Sequence, residues 1–292
     1  MTFVPAPSRK ANPVLPIAIL LVAMSCFQLG GALAKQLFPA IGPLGTATLR
    51  MVLAALLLGA IQRPWRGPFP VPARWAVLGY GVTLAGLNAF FYLALQRIPL
   101  GIAVAIDFIG PLGLALLHSR HWTHACWGLL AALGIGLLMP IGPDVTHLDL
   151  LGVLFCLVSA LCWALYIVFG KIAGSHLPSS KATALGIAAG ALILPPAGVA
   201  QSGSAVLSWA VLPVGLTVAI LSSALPYNLE MIAMKTLPTR VFGVLMSLEP
   251  AFGALYGWLL LGEALTLRQT AAIACVILAS AGATATSSAT GS

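Results

Sequence analysis

Long apolar stretches follow one another along almost the whole chain and leave little else to form a fold. A helix needs about 20 mostly apolar residues to cross a bilayer, and ten stretches approach that length: 14–34, 44–61, 75–95, 100–117, 125–141, 150–170, 182–200, 210–231, 241–261 and 267–286. Only 7% of the 292 residues are charged, whereas soluble domains carry about 25%. Because the stretches are apolar on every side, a membrane β-barrel with alternating strands is excluded. We therefore predict an all-α integral membrane protein with ten transmembrane helices.

The basic residues predict the orientation of these helices. If the N-terminus is cytoplasmic, ten basic residues lie on or near the inner side: Arg9, Lys10, Arg63, Arg66, Arg74, Arg120, Lys171, Lys181, Lys235 and Arg240. Only Lys35, Arg97 and Arg268 then lie outside. Since cytoplasmic links carry the excess of Lys and Arg, both termini are predicted to be cytoplasmic. The net charge of +8 is spread between apolar stretches rather than collected in a patch, so no nucleic-acid partner is expected.

The two halves of the chain resemble each other. Residues 94–111 (ALQRIPLGIAVAIDFIGP) align with residues 233–250 (AMKTLPTRVFGVLMSLEP) at a constant offset of 139. Five stretches per half is an odd number, so the second half must enter the membrane from the opposite side. The predicted organisation is a cytoplasmic tail (1–13), a five-helix repeat (14–141), a periplasmic link (142–149), an inverted five-helix repeat (150–286) and a cytoplasmic tail (287–292). Inverted repeats are typical of secondary transporters, whose substrate sites lie between the repeats near the membrane midplane.

Two carboxylates occupy the centres of apolar stretches. On insertion scales, a charged residue at the centre of a membrane helix costs about 2.5–3.5 kcal/mol, yet Glu249 and Asp107 lie there, within one helical turn of each other in the repeat alignment. Pro250 and Pro111 cannot donate to the carbonyl four residues earlier, so they release the carbonyls of Met246 and of Asp107 itself. Two interpretations stay open. The acids belong either to a polar cavity that binds a cation or exchanges a proton, or to kinked helices held together by protonated carboxyls.

Further polar residues at membrane depth are candidates for the same cavity. Arg50 cannot lose its proton, so it either snorkels to the outer surface or pairs with Asp107 or a substrate carboxylate. Glu230 lies nearer the cytoplasmic end of its stretch, where an ion pair with Lys235 or Arg240 is predicted. A third kink is predicted at Pro226. The remaining candidates either line the cavity or form hydrogen bonds between helices: Asn88, Tyr92, Trp163, Tyr166, Ser222, Ser223, Tyr227 and Asn228.

No pattern in the sequence predicts an enzyme, a metal site or a cofactor. The motifs H-E-x-x-H and G-x-S-x-G and the phosphate-binding loop are absent. His118, His121 and His124 are spaced by three but lie at a cytoplasmic link beside Arg120 with no acidic neighbour, so we interpret them as interfacial residues. The five cysteines contain no C-x-x-C pair and are interpreted as apolar packing residues.

Two segments carry a resemblance to a known family. Residues 99–117 (PLGIAVAIDFIGPLGLALL) and 220–257 (ILSSALPYNLEMIAMKTLPTRVFGVLMSLEPAFGALYG) resemble the EamA-type exporters of the drug/metabolite transporter superfamily. Within that family they are most similar to the bacterial inner-membrane exporters of threonine and homoserine. Residues 16–35 and 142–152 add to the resemblance, which runs from about residue 14 to residue 285. The family pattern has Glu at position 107, where this chain has the shorter Asp107.

The resemblance implies export of small zwitterionic amino acids, threonine and homoserine foremost, coupled to protons across the bacterial inner membrane. An arginine suits the substrate carboxylate, an acid suits its ammonium group, and a second acid is available for the coupling proton. Arg50, Asp107 and Glu249 would divide these roles while the repeats alternate access to the site. The alternatives are another substrate of the superfamily (an aromatic amino acid, a purine or a drug-like cation) and a membrane scaffold that transports nothing.

Overall fold

The computed structural model describes residues 14–117, 122–138, 149–237, 242 and 245–287. Within these ranges the chain is helical almost throughout and contains no β-strand, which confirms the all-α prediction for this part of the protein. The histidines at 118 and 121, and Arg240, lie outside the described residues.

Thirteen α-helices make up the described part of the chain. Those of the first half are α1 (Val14–Gln36), α2 (Phe38–Gln62), α3 (Val71–Leu95), α4 (Leu100–Asp107), α5 (Ile109–Leu117) and α6 (Trp122–Leu138). Those of the second half are α7 (Leu150–His176), α8 (Ser179–Ile193), α9 (Pro195–Ser202), α10 (Leu212–Ala219), α11 (Leu225–Thr236), α12 (Glu249–Leu261) and α13 (Leu267–Ser287). A 3₁₀ turn follows α9 at Gly203–Leu207, and a π-helical turn joins α10 to α11 at Ile220–Ala224.

Several of these helices have the length and apolar composition of membrane spans. Helices α1, α2, α3 and α7 qualify, as does the continuous segment Leu212–Glu230. The pair Ser180–Ile193 and Pro195–Leu207, which is bent by 46°, forms a sixth candidate when the two helices are counted together. Eight of the ten predicted stretches lie wholly within the described residues, and each of these eight falls on one helix or on a broken pair. The described part of the chain is therefore a helical membrane protein with five to six clear candidate spans.

Four of the predicted stretches are interrupted rather than continuous, and a proline accompanies each interruption. The first and last breaks, at Phe108 and at Ser247–Leu248, precede Pro111 and Pro250. The stretch 182–200 breaks at Leu194 before Pro195, and the stretch 210–231 contains the π-helical turn before Pro226. A proline removes one hydrogen bond from the helix and its ring crowds the preceding turn. Kinks at Pro111, Pro226 and Pro250 were expected from the sequence, and an interruption lies near each of them, whereas the break before Pro195 was not expected.

Small residues let the two broken segments pack closely. Helix α4 packs against α12, and a Cβ atom added at Gly101 would lie 2.6 Å from the backbone Cα of Ala254. A Cβ atom on Gly253 would approach a methyl carbon of Val104 to 3.0 Å. Small residues at helix crossings in membranes allow such backbone contact. The contact brings the helix that ends with Asp107 beside the helix that begins with Glu249.

We expect Gly101→Ala to destabilise the protein, because the new methyl group would meet backbone atoms that cannot turn away. Overpacking of this kind typically costs about 1–3 kcal/mol, which thermal unfolding in detergent will measure. Gly113→Ala is the matched control, since a Cβ atom at Gly113 has no heavy atom within 4 Å and alanine favours a helix over glycine by about 1 kcal/mol. Equal melting temperatures for the two variants would contradict the close α4–α12 contact.

Candidate functional site

A cavity of about 120 Å³ lies between helices of both halves of the chain. One water molecule needs only about 10–15 Å³ of such space, so the cavity has room for several waters or one small organic molecule. Its walls come from α1, α2, α3, α4, α7, the π-helical turn, α11 and the start of α12. The lining residues are Phe27, Gln28, Gly31, Arg50, Leu87, Asn88, Phe91, Tyr92, Val104, Asp107, Trp163, Tyr166, Ser222, Tyr227, Glu230, Met246 and Glu249.

Most of the candidate residues from the sequence meet in this central cavity. The three charged candidates, Arg50, Asp107 and Glu249, all line it, as do six of the eight polar candidates: Asn88, Tyr92, Trp163, Tyr166, Ser222 and Tyr227. Ser223 is not among the lining residues. Asn228 lies elsewhere. Its exposed side chain donates to the Ala224 carbonyl at 2.6 Å and borders a second cavity of about 540 Å³.

Arg50 is buried, with 9% of its surface exposed, so it does not snorkel to the surface. Its Nη2 donates to the Ser222 carbonyl at 2.6 Å, its Nε to the Ser223 hydroxyl at 3.0 Å and its Nη1 to the Tyr92 hydroxyl at 3.2 Å. The Ser222 carbonyl is the one that Pro226 cannot bond, and the guanidinium supplies the missing donor. A guanidinium has five N–H groups, so among the described residues two remain available to a ligand.

Asp107 closes α4 at the wall of the cavity and is 4% exposed. Its Oδ1 is enclosed and has no hydrogen-bond partner in the described part of the protein, and the Ser159 side chain lies beside the carboxyl group. Pro111 leaves the Asp107 carbonyl without its usual helical donor. A side-chain carboxyl and a backbone carbonyl of the same residue are therefore both available as acceptors, which is the arrangement that an ammonium group requires.

Glu249 opens α12 on the other side of the contact and is 6% exposed. Its Oε1 accepts a hydrogen bond from Gln28 at 3.3 Å, while Oε2 has no partner among the described residues. The first turn of a helix favours negative charge because its N–H groups point outwards. The position therefore suits a carboxyl group that ionises during function.

Two polar residues of the cavity, Gln28 and Glu230, were not predicted as such from the sequence. Gln28 was overlooked, although a lone amide in the middle of an apolar helix was the available signal. Glu230 was predicted to form an interfacial ion pair, but it is half-buried and lines the central cavity. The Lys235 side chain and Arg240 lie outside the described residues. The signal for Glu230 was its spacing of three from Tyr227, which places both residues on one side of a helix.

Two ion pairs connect the halves of the chain at one end of the bundle, which we call the Lys35 end. Lys35 Nζ lies 2.5 Å from Glu263 Oε1, and the other carboxylate oxygen accepts from the Leu100 amide at 2.7 Å. Near them, Arg97 and Asp149 form a pair at 2.6 Å. The hydrogen bond from Arg97 is the main cause that lowers the pKa of Asp149. Because Leu100 begins α4, the Glu263 carboxylate also caps the helix that carries Asp107 to the cavity.

Comparison with known proteins identifies the family. The EamA-like transporter family model matches residues 150–285. Threonine/homoserine exporter RhtA of Escherichia coli strain K12 is 50% identical over 283 residues, 97% of this chain and 95% of that protein. RhtA of Salmonella typhimurium strain LT2 is 48% identical over the same shares. A solved crystal structure has the same fold with a TM-score of 0.62 at 20% identity, covering 94% of this chain and 99% of that one. As its resemblance predicted, the chain belongs to the EamA-like transporter family and is a membrane transporter, not an enzyme.

Proposed function

We propose that this protein exports threonine and homoserine across the bacterial inner membrane in exchange for protons. The observation that carries the proposal is the presence of a guanidinium group and buried carboxyl groups in one small cavity. Such a cavity offers a partner to each charge of a zwitterion. The 50% identity to the E. coli exporter narrows the substrate from small amino acids in general to these two.

The geometry suggests how the residues divide the work. Arg50 has N–H groups available for the substrate carboxylate, and charge-assisted bonds of this kind are short and strong. The carboxyl and carbonyl groups of Asp107 suit the substrate ammonium group. Glu249 lies within electrostatic reach of both Asp107 and Glu230 and is the inner acceptor of the coupling proton. The bound zwitterion and the proton therefore compete for one cluster of carboxyl groups, which is the condition for exchanging one for the other.

The proposed path across the membrane is alternating access between two inverted five-helix repeats with ten crossings and cytoplasmic termini. The meeting of Lys35, Arg97, Asp149 and Glu263 at one end of the bundle supports it. Lys35, Arg97 and the link before α7 are all predicted to lie outside. At the opposite end, the second cavity reaches the ends of α2 and α7 at Gln62 and Leu177. The arrangement corresponds to a protein closed on the outer side.

Reporter fusions test this topology directly. Fusions placed after Arg66, Arg120, Lys181 and the C-terminus are expected to report the cytoplasm, because the basic residues hold these links inside. A fusion within 142–149 is expected to report the periplasm. A periplasmic C-terminus would refute both the ten crossings and the inverted repeat.

Overproduction in a bacterium that lacks its own exporters tests the substrate. We expect tolerance to growth-inhibitory threonine or homoserine to rise and the internal pools of both amino acids to fall. The control is the same strain producing Asp107→Asn at an equal level. If neither pool changes while an aromatic amino acid, a purine or a drug-like cation is cleared, the protein transports another substrate.

A further inference from the structure

Glu230 is a third carboxyl group in the central cavity, and its position differs from those of Asp107 and Glu249. We propose that Glu230 is the residue that exchanges the coupling proton with water. The inference rests on the proposed export function and deepens it, because it assigns the entry and exit of the proton to one side chain.

The first observation is where Glu230 lies along the bundle. It follows Tyr227 by one turn of α11, so the two side chains share a side of that helix. Tyr227 borders both the central cavity and the second cavity. The second cavity is bounded by the ends of α2 and α7 at Gln62 and Leu177, opposite the Lys35 end. Glu230 is therefore the cavity carboxyl placed next to the residue that separates the two spaces.

The second observation is access to water. Asp107 and Glu249 are 4% and 6% exposed, and each has one carboxyl oxygen enclosed without a hydrogen-bond partner among the described residues. Glu230 is only partly buried, so a larger fraction of its surface is exposed than that of either other acid. A group that loads and releases a proton must contact water. Of the three acids, Glu230 has the largest exposed fraction.

The third observation is the charge balance of the cavity. Three carboxyl groups face one guanidinium, and a bound zwitterion adds no net charge, so full ionisation would leave two uncompensated negative charges. Buried charges without partners are costly, which favours protonation of the acids. The described groups within electrostatic reach of Glu230 are the phenols of Tyr80, Tyr166 and Tyr227 and the carboxyl of Glu249. None of these four groups carries a positive charge, and in the proposed site the Arg50 guanidinium pairs with the substrate carboxylate.

The proposed step transfers one proton between the cavity and water. When the site faces the outside, the Glu230 carboxylate takes one proton from hydronium in the water and passes it to the Glu249 carboxylate, which becomes a neutral carboxylic acid. When the site faces the second cavity, Glu249 returns the proton through Glu230 to water as a substrate zwitterion enters. One proton then moves inwards for each amino acid that moves outwards, and no covalent bond other than the O–H bond forms or breaks.

Purified protein in liposomes that contain a pH-sensitive dye tests the assignment with two readouts. The first is exchange of labelled threonine against threonine without any gradient, and the second is proton movement driven by a threonine gradient. Glu230→Gln is expected to keep exchange within about threefold of wild type while losing at least about tenfold of the driven proton movement. Glu230→Asp, which restores a carboxyl group, is expected to recover it. Asp144→Asn, the same change from carboxyl to amide in the predicted periplasmic link, is expected to match wild type in both readouts.

The other possible outcomes either overturn the inference about Glu230 or refute the proposed function. Wild-type proton movement in Glu230→Gln overturns the inference, and so does loss of exchange together with proton movement, because that pattern marks a substrate ligand. If the glutamine variant does not reconstitute, an unchanged pH dependence of export in Glu230→Asp overturns it, since moving the carboxyl group must change its contact with water. A wild-type protein that exchanges neither threonine nor homoserine refutes the proposed function instead.

Discussion

Glu249→Gln is expected to insert and accumulate like the wild-type protein yet to lose gradient-driven export. Glutamine keeps the shape of the side chain and its hydrogen bond with Gln28, which spans 3.3 Å, but it cannot ionise. A hydrogen bond to a charged group contributes about 1.5–3 kcal/mol, so a loss of roughly 10- to 150-fold in coupled transport is expected. Initial rates of threonine export from energised cells, corrected for the amount of protein in the membrane, measure the effect.

A structural role for Glu249 leads to the opposite result. If the carboxyl group serves only as a protonated link between α1 and α12, glutamine replaces it and export stays near the wild-type rate. Asp107→Asn then separates the two functional roles, because loss of a substrate ligand abolishes exchange without a gradient and loss of a proton carrier leaves it intact. Near-normal coupled export in both single variants would refute the site assignment while leaving the family membership untouched.

Arg50→Lys is expected to have an effect of similar size on substrate affinity. Lysine presents a single ammonium group on a flexible chain, which cannot reach the Ser222 carbonyl, the Ser223 hydroxyl and the Tyr92 hydroxyl and also bind a carboxylate. The Ser222 carbonyl would lose the donor that compensates for Pro226. We expect KM for threonine to rise by about 10- to 100-fold, corresponding to about 1.4–2.8 kcal/mol.

Arg74→Lys is the matched control for that experiment. The Arg74 guanidinium is also hydrogen-bonded to a backbone carbonyl, that of Phe69 at 3.2 Å, but it lies at an exposed position away from the cavity. The KM of Arg74→Lys for threonine is expected to equal that of the wild-type protein. An unchanged KM in Arg50→Lys would show that the arginine is only a brace for the π-helical turn.

The charged residues of the site could be predicted from the sequence because a charged side chain at membrane depth is costly and is therefore a candidate for a functional role. Arg50, Asp107 and Glu249 were each selected by this argument, and the structure places all three in one cavity. The same reasoning did not place Asn228 and Glu230. Glu230 was assigned to an ion pair because Lys235 and Arg240 lie near it in the sequence, whereas its spacing of three from Tyr227 puts both residues on one side of α11. Asn228 directly follows Tyr227, so its side chain leaves the helix about 100° away from that of Tyr227.

Long-range contacts could not be predicted from the sequence either. The hydrogen bond between Lys35 and Glu263 joins residues 228 positions apart. The position of Lys35 at the end of a predicted span already explained its charge, so nothing in the sequence pointed to a distant partner. The bend at Leu194 had a visible signal in Pro195 and Pro196. Composition still favoured one continuous span there, because both arms of the bend are apolar and the break occupies a single residue.

Transport into inside-out membrane vesicles tests the central claim most directly. Vesicles that contain the protein and have an acidic interior are supplied with labelled threonine or homoserine. The account predicts accumulation of both amino acids that depends on the protein, collapses when a protonophore removes the gradient and is lost in Glu249→Gln. Vesicles that accumulate neither amino acid, while the same protein drives uptake of an aromatic amino acid, a purine or an organic cation, would contradict it.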